Sequence, residues 1–478
     1  MILKFTLLSI FIYSSSVCSY SQSFFKNIEY SLQTGILTSS QKNNPFFLYS
    51  NTFGTIPLEL NNLFFSSSLQ KEYDSLHNFK TKLKKFDFGY GLNFHLNYGH
   101  KIQFLIPETY FKIKFNIFEF YLGRRKEIFG LTDTTLTSGS YIWSGNALPV
   151  PKIQISTPSW VGFGLYKRVS FKAGLSHGWF GTQEIIENYY LHQKWLYLKI
   201  NDKRNKIQLI GGVNHQTQWG GYSDVLKNKD WYDVPTINGY LAPYPLYSFK
   251  YILIPFLQKI VPANPQKVPF YDAVLAIGNQ LGSVDLEAIF ENNFRLYHQK
   301  PFDFARSLIN FNNLEDGIYG ISWLSKNSVI RKIVGEFIYT KSQGRERFGK
   351  NRNSNKGEID NYFFHGQYQS WTYQSRIIGT PLIIVDPLNR NIVNNRLKAY
   401  YFGLYGVKKN IDFTIKFAHS INYGTYINPV LLKSNSILIK VNAPLVFGIK
   451  LNSYLATDFG EFYKNTLGFQ IGFEKCFN

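Results

Sequence analysis

Residues Phe86 to Tyr98 read FDFGYGLNFHLNY. Every even position (Phe86, Phe88, Tyr90, Leu92, Phe94, Leu96, Tyr98) is aromatic or leucine, and every odd one is aspartate, glycine, asparagine or histidine. Successive side chains of a strand point to opposite faces, so the alternation describes a strand with one apolar and one polar face. Strands of soluble domains run about five or six residues, whereas a tilted membrane-crossing strand needs roughly nine to eleven. This stretch is long enough to cross, and rings line its apolar face. It predicts an all-β chain folded as a transmembrane antiparallel β-barrel.

The two ends agree with export. Lys4, the apolar run Phe5 to Tyr13 and a cut after Ser19-Tyr20-Ser21 read as a signal peptide over residues 1–21. Cys18 leaves with it and Cys476 is then alone, so neither an intramolecular disulfide nor a cysteine metal site is expected. At the other end Leu467, Phe469, Ile471 and Phe473 alternate with Gly468, Gln470, Gly472 and Glu474, and Phe477 is next to last. Such a strand resembles the signal that barrels present to their assembly machinery. No apolar run approaches the roughly twenty residues of a membrane helix; the best, Tyr251 to Val261, is interrupted by Pro255, Gln258 and Lys259. Phe, Trp and Tyr make up 18% of the chain, in keeping with ring girdles at two membrane interfaces. The net charge of +21, or +20 once Lys4 is lost, favours acidic partners such as lipopolysaccharide phosphates or acidic polysaccharide. Nucleic acid is not expected for an exported chain.

Barrel strands alternate in direction, with short turns at one rim and long loops at the other. Phe86–Tyr98 rises, Ile102–Lys114 descends to a turn at Phe115-Asn116-Ile117, and Phe118–Arg125 climbs into a loop ending near Leu148. Pro151–Tyr166, Val169–Trp179, Tyr190–Ile200 and Ile207–Trp219 continue the sequence of strands. A loop of about fifty residues follows, long for a compact domain, and the strand resumes near Tyr271. Further reversals are expected at Leu281–Ser283, Lys326–Ser328, Lys408–Asn410 and Asn442–Pro444. With two strands allowed in 361–395 the count is eighteen. Residues 22–85 lack alternation and are assigned to a small periplasmic cap or plug, leaving 86–478 as the barrel.

No hydrolase elbow, zinc-protease motif or phosphate loop is present, so no catalytic residue, cofactor or metal is assigned. His177 and His215 fall on the apolar side of their strands, just before Trp179 and Trp219, and read as part of an outer aromatic girdle. The presumed outer loops offer other candidates. Residues 123–147 join Arg124, Arg125 and Lys126 to small polar residues and Trp143. Loop 341–360 sets Lys341, Arg345, Arg347, Lys350, Arg352 and Lys356 against Glu346, Glu358 and Asp360. Arginine forks suit carboxylate or phosphate groups, and an exposed ring beside polar groups suits a sugar.

Several segments also resemble the capsule assembly Wzi family of outer-membrane proteins, in the form found in Bacteroidetes-type bacteria. They are Gly123-Arg124-Arg125-Lys126-Glu127, Ser138-Gly139-Ser140 with Ser144-Gly145-Asn146-Ala147 and Pro151-Lys152-Ile153, and His177-Gly178-Trp179. Then come Leu191-His192-Gln193-Lys194, Asn214-His215 with Gln218-Trp219-Gly220-Gly221, and Ile277–Ser283. Asp360-Asn361-Tyr362-Phe363 and Ile378-Gly379-Thr380-Pro381 complete the series, in family order. His365 stands where the pattern has asparagine. The resemblance implies an eighteen-stranded lectin, without catalytic activity, that holds capsular or exopolysaccharide at the surface of a Gram-negative cell. It also implies an N-terminal helical piece, for which 22–85 show little periodicity. Candidate polysaccharide contacts are thus Arg124, Arg125, Lys126, Trp143, Asn146, Arg345, Arg347, Lys350, Arg352, Asp360, Asn361 and Tyr362. His177, Trp179, His192, His215, Gln218 and Trp219 stand as girdle or family-motif residues. The rival reading is a diffusion porin or substrate-specific channel.

Overall fold

The computed structural model describes residues 27–59, 62–74, 85–164, 168–182, 185–227, 236–254, 266–269, 272, 276–303, 307–308, 312–326, 328–343 and 361–477. The expected signal peptide therefore lies outside the described residues, as do the candidates Arg345, Arg347, Lys350, Arg352 and Asp360.

The wall begins with β1 (Ile28–Ser39), β2 (Asn62–Lys71), β3 (Phe86–Tyr98), β4 (Ile102–Phe115) and β5 (Phe118–Arg124). It continues with β6 (Lys152–Ser156), β7 (Val161–Phe163), β8 (Val169–Gly181), β9 (Tyr189–Asn201) and β10 (Ile207–Trp219). Next come β11 (Asn279–Phe290), β12 (Phe294–Phe302), β13 (Gly317–Leu324) and β14 (Ile330–Tyr339). Three small hairpins follow: β15–β16 (Phe364–His365, Gln369–Ser370), β17–β18 (Thr372–Tyr373, Arg376–Ile377) and β19–β20 (Ile384–Val385, Ile392–Asn394). The wall resumes with β21 (Leu397–Lys408), β22 (Ile411–Gly424), β23 (Pro429–Pro444), β24 (Ile449–Gly460) and β25 (Thr466–Phe477). β1 pairs with both β2 and β25, which closes the sheet. β6 and β7 both pair with β8 as halves of one stave, so the 19 strands of the sheet make an 18-strand barrel. The break between them contains Pro158, which has no N–H for the ladder. Closure leaves no free edge, the condition for strands in lipid.

β3 follows its sequence closely: Asp87, Gly89, Gly91, Asn93, His95 and Asn97 are buried, while the even positions face outward. Around the wall the outward positions carry an apolar belt that includes Phe65, Phe104, Phe120, Leu198, Leu209, Phe402 and Ile439. Inward rings lie over glycines of the neighbouring stave. A Cβ on Gly91 would sit 2.4 Å from the Tyr110 ring, and one on Gly174 would sit 2.1 Å from the Trp195 ring. Turns at one rim are short and use asparagines at positive φ, such as Asn116, Asn205 and Asn292. The longest connections, 125–151, 220–278 and 340–396, leave from the opposite, loop rim.

The structure corrects the strand inventory. Residues 22–85 are not a cap apart from the barrel: 28–39 and 62–71 are staves, the connection between them folds inward, and Glu72 and Tyr73 meet the inward Lys112 and Glu119. Their alternation is blurred because Leu37 and Phe64 point inward into packed surroundings while Thr34 and Ser67 face out. Residues 361–395 supply no staves; their hairpins fold among the loops that fill the loop-rim end of the interior. The two errors offset each other in the total. Leu281–Ser283 lie within β11, which starts at Asn279 rather than near Tyr271 and turns at Glu291–Asn293.

Candidate functional site: a packed lumen with two polar cavities

The barrel's hydrophobic core is inside it. Phe46, Phe47 and Leu48 of the helical turn Phe46–Tyr49 pack with Leu136, Tyr141, Ile142 and Trp143, with Tyr362, Phe363 and Trp371, and with inward wall residues such as Trp195, Tyr297 and Tyr401. Trp371, Tyr121, Tyr141 and Tyr362 are among the largest fully buried side chains.

Inward polar groups of the wall tie this plug down. Gln216 donates to the Ile142 carbonyl at 3.1 Å, Gln218 to the Ser370 carbonyl at 3.4 Å, and Asn279 to Gln218 at 2.7 Å. Glu336 accepts from the Ser138 amide at 2.8 Å, from the Tyr297 hydroxyl at 2.6 Å and from Thr137 at 2.5 Å. Asp285 accepts from the Leu131 amide at 3.1 Å and from the Tyr197 hydroxyl at 2.8 Å. Loop joins loop as well: Ser144 donates to the Gly379 carbonyl at 2.7 Å and Asn146 to the Ile377 carbonyl at 3.0 Å. Charged groups buried in this way must be paired, and Lys152 meets Glu127 at 2.8 Å and Lys332 meets Asp133 at 2.8 Å. Burial alone would raise the Glu127 carboxyl, but the cations of Lys152 and Arg125 outweigh it and hold it below the usual range. At Asp316 burial wins over the Ser342 amide and Tyr362 hydroxyl, and its pKa is pushed up to about 7.

Among the described residues, two sizeable polar cavities lie beside the plug. One, of about 390 Å³, is lined by the polar face of β3 (Gly91, Asn93, His95, Asn97) and by Ser31, Gln33, Ser66, Ser68 and Gln70. Phe53, Phe64, Tyr110 and Tyr454 add rings. Asn93 donates to Ser66 Oγ at 3.3 Å, and Asn97 to the Thr55 carbonyl of the plug at 2.8 Å. The other, of about 470 Å³, is more charged, with Arg125, Lys172, Lys199 and Arg295 against Glu119, Glu127 and Glu287, beside Trp160 and Trp195.

Several predicted contacts are therefore not at an outer surface. Arg124 donates to the Tyr373 hydroxyl at 2.8 Å, Arg125 pairs with Glu119 at 2.6 Å, and Lys126 pairs with Glu108 at 3.3 Å. The basic cluster thus separates the cavities, Lys126 lining the first and Arg125 the second. Trp143 is buried edge-on against Phe129, with the Lys152 ammonium 5.2 Å from its ring centre, so it presents no face to a surface sugar. Asn146 and Tyr362 are buried in the plug, and Asn361 accepts from Asn395 at 2.5 Å. A loop rich in Arg, Ser and Gly reads as solvated in a sequence; the inward carboxylates that claim it lie outside the loop, on β4, β5, β11 and β14. Asp285, Glu336 and Gln299, whose amide oxygen accepts from the Tyr141 N–H at 2.8 Å, each left a signal, a polar side chain at an inward position of a long strand. His177, Trp179, His192, His215 and Trp219 face outward, as expected for His177, His215 and both tryptophans, while Gln218 faces in.

No family model matches the chain, and no curated protein does. Among solved structures it is similar to Wzi of Escherichia coli, described as an outer membrane protein involved in group 1 capsule assembly and a carbohydrate binding beta-barrel. Identity is 12%, 96% of this chain and 86% of that chain are covered, and the TM-score is 0.57. Pseudomonas aeruginosa OccK5 (8% identity, 95% and 99% covered, TM-score 0.42) and OccK2 in complex with glucuronate (6%, 95% and 99%, 0.41) overlap it too loosely to bear on function. The ordered motifs that pointed to the Wzi family are thus matched by the architecture: the chain has the fold of Wzi.

Proposed function

We propose that the protein is a polysaccharide-binding barrel of the outer membrane of a Gram-negative bacterium, which holds capsular or exopolysaccharide at the cell surface and helps attach or assemble the capsule. It binds rather than catalyses. One observation carries this reading: the interior is a packed core, and beside it the polar face of β3 lines a cavity of amides, hydroxyls and rings. Its volume of about 390 Å³ lies in the usual range of ligand sites. Amides and hydroxyls bond sugar hydroxyls sideways, while rings stack on the sugar's C–H face. An aqueous diffusion pore has no use for buried tryptophan and tyrosine in its lumen.

The basic residues Arg345, Arg347, Lys350 and Arg352 make the first contact with an acidic polymer in this reading, which rests on their sequence. Lipopolysaccharide around the barrel is the other acidic partner, and the last strand is the signal to the assembly machinery.

The test is binding of purified capsular polysaccharide to the detergent-solubilised barrel. Asn93→Leu removes the cavity's central amide at similar volume and is expected to reduce binding with the barrel intact. Neutralising the four basic residues together should weaken binding at 0.1 M salt more than at 1 M, because the Debye length falls from about 10 Å to about 3 Å. Binding unchanged in both variants would overturn the proposal, and so would steady ion conductance by the wild type in planar bilayers.

A further inference from the structure

The outer wall of β8–β11 near the loop rim interrupts the apolar belt. Strand parity puts His177, His192, Lys194, His215, Thr217 and Gln280 on the outside, in line with the exposed Leu175, Leu196, Val213 and Leu286. Register sets His177, His192, Thr217 and Gln280 side by side, with Lys194 and His215 adjacent in the next row towards the turn rim. Bare, such a patch would be unfavourable against hydrocarbon. It is covered by the helix Pro245–Leu253, which the long connection after β10 brings back over the outside of the wall. Phe249 lies 5.3 Å from the His192 ring and 5.7 Å from the Trp219 ring, and the Lys194 ammonium donates to the Ile252 carbonyl. The helix's other face is apolar and open, with Leu246 90% exposed beside Leu253 and Ile254, as for a helix lying in a membrane interface.

The cover does not satisfy what it buries. Both ring nitrogens of His192, Nδ1 of His215 and the Thr217 hydroxyl have no hydrogen-bond partner among the described residues, although His192 and His215 are only 3% and 4% exposed. Just below the end of the helix an apolar groove of about 680 Å³ opens on the same wall, between Phe171, Ala173, Leu175, Leu196 and Val213. Ser156 and Thr157 also line it, and Lys194 and His215 are the polar groups at its end nearer the loop rim. A groove that is apolar along its length and cationic at the end nearer the loop rim matches an amphiphile with an anionic head and a hydrocarbon tail.

We propose that this groove binds an acyl chain of a phosphorylated lipid in the loop-rim leaflet, with the phosphate held by Lys194 and His215. Lys194 keeps two N–H donors beyond the one given to Ile252, and the tail runs towards the turn rim, in the direction a lipid of that leaflet takes. The groove shares no lining residue with the cavity beside β3 to which sugar binding is assigned, so it stands whether or not that cavity takes sugar.

Native mass spectrometry of the detergent-purified full chain tests it, with phosphatidate and the diacylglycerol of the same chains as probes. Wild type is expected to retain phosphatidate about tenfold more tightly, the size of one charge-assisted hydrogen bond. Lys194→Gln should erase that preference. Ala173→Trp, which fills the groove from a lipid-facing position, should lower retention of both lipids even if Lys194→Gln fails to fold. Inorganic phosphate alone should not displace the lipid. Equal retention of the two lipids by wild type, phosphatidate retention unchanged in Ala173→Trp, or displacement by inorganic phosphate would each overturn the proposal.

Discussion

The wall of β3–β5 and the wall of β8–β11 are built alike on the inside and differently on the outside. Inside, Gly91 lies under Tyr110 and Gly174 under Trp195, and polar side chains face the plug. Outside, β3–β5 present Phe86, Phe111, Phe120 and Leu122 to lipid, whereas the upper part of β8–β11 presents histidines, a lysine and a threonine beneath a helix. Period-two alternation tells which side a residue faces. It does not tell what covers that side, because the cover comes from a segment distant in the chain.

The largest expected effect tests whether the helix is part of the packed structure. Trp219 is buried and touches Tyr190, Phe249 and His177. Trp219→Ala should destabilise the barrel by about 3–5 kcal/mol, as for a core ring, in urea unfolding from lipid vesicles. Phe120→Ala on the open wall exchanges a lipid contact for a lipid contact and should cost far less. Equal losses would mean the helix does not pack on the wall in the membrane. Next in size is Leu198→Arg, placed among lipid-facing neighbours, which should cost about 2–4 kcal/mol at mid-depth. Its counterpart Lys194, four residues earlier on the same face, is tolerated because the Ile252 carbonyl receives its ammonium.

A third pair removes the difference. Gly91→Val and Gly174→Val both drive a side chain into a ring and should cost a similar amount, about 1–3 kcal/mol each. Unequal costs would show that the inner faces are not equivalent after all.

These contrasts mirror what the sequence disclosed. The barrel class, the paired long strands from Phe86 onward and the outward placement of His177 and His215 follow from local periodicity, which one strand carries by itself. β1 and β2 were missed because Leu37 and Phe64 face inward and Thr34 and Ser67 outward, so tertiary packing had overwritten the period. The luminal fate of Arg124, Arg125 and Lys126 was illegible for another reason: the loop folds back into the barrel, where Glu119 and Glu108 on the inner face of β5 and β4 and Tyr373 of a plug hairpin receive it. The polar face of β3 was visible from the outset; that it borders a cavity depends on how far the plug fills the lumen.

The smallest expected effect carries a sign. Thr217 is fully buried on the outer face of β10, and its hydroxyl has no partner among the described residues. A buried hydroxyl without a hydrogen bond is unfavourable by about 1–3 kcal/mol, and valine keeps its shape without the oxygen. Thr217→Val should therefore leave the barrel unchanged or stabilise it by up to about 1 kcal/mol in the same urea assay, and His192→Phe should act in the same direction. On the open wall the corresponding change, Leu209→Thr, should destabilise. A stabilised Thr217→Val barrel would mean that the polar row beneath the helix is kept at the expense of stability, as expected of a surface that serves a ligand. A destabilised one would mean that ordered water satisfies the hydroxyl, and the covered wall would then differ from the open wall in hydration rather than in purpose.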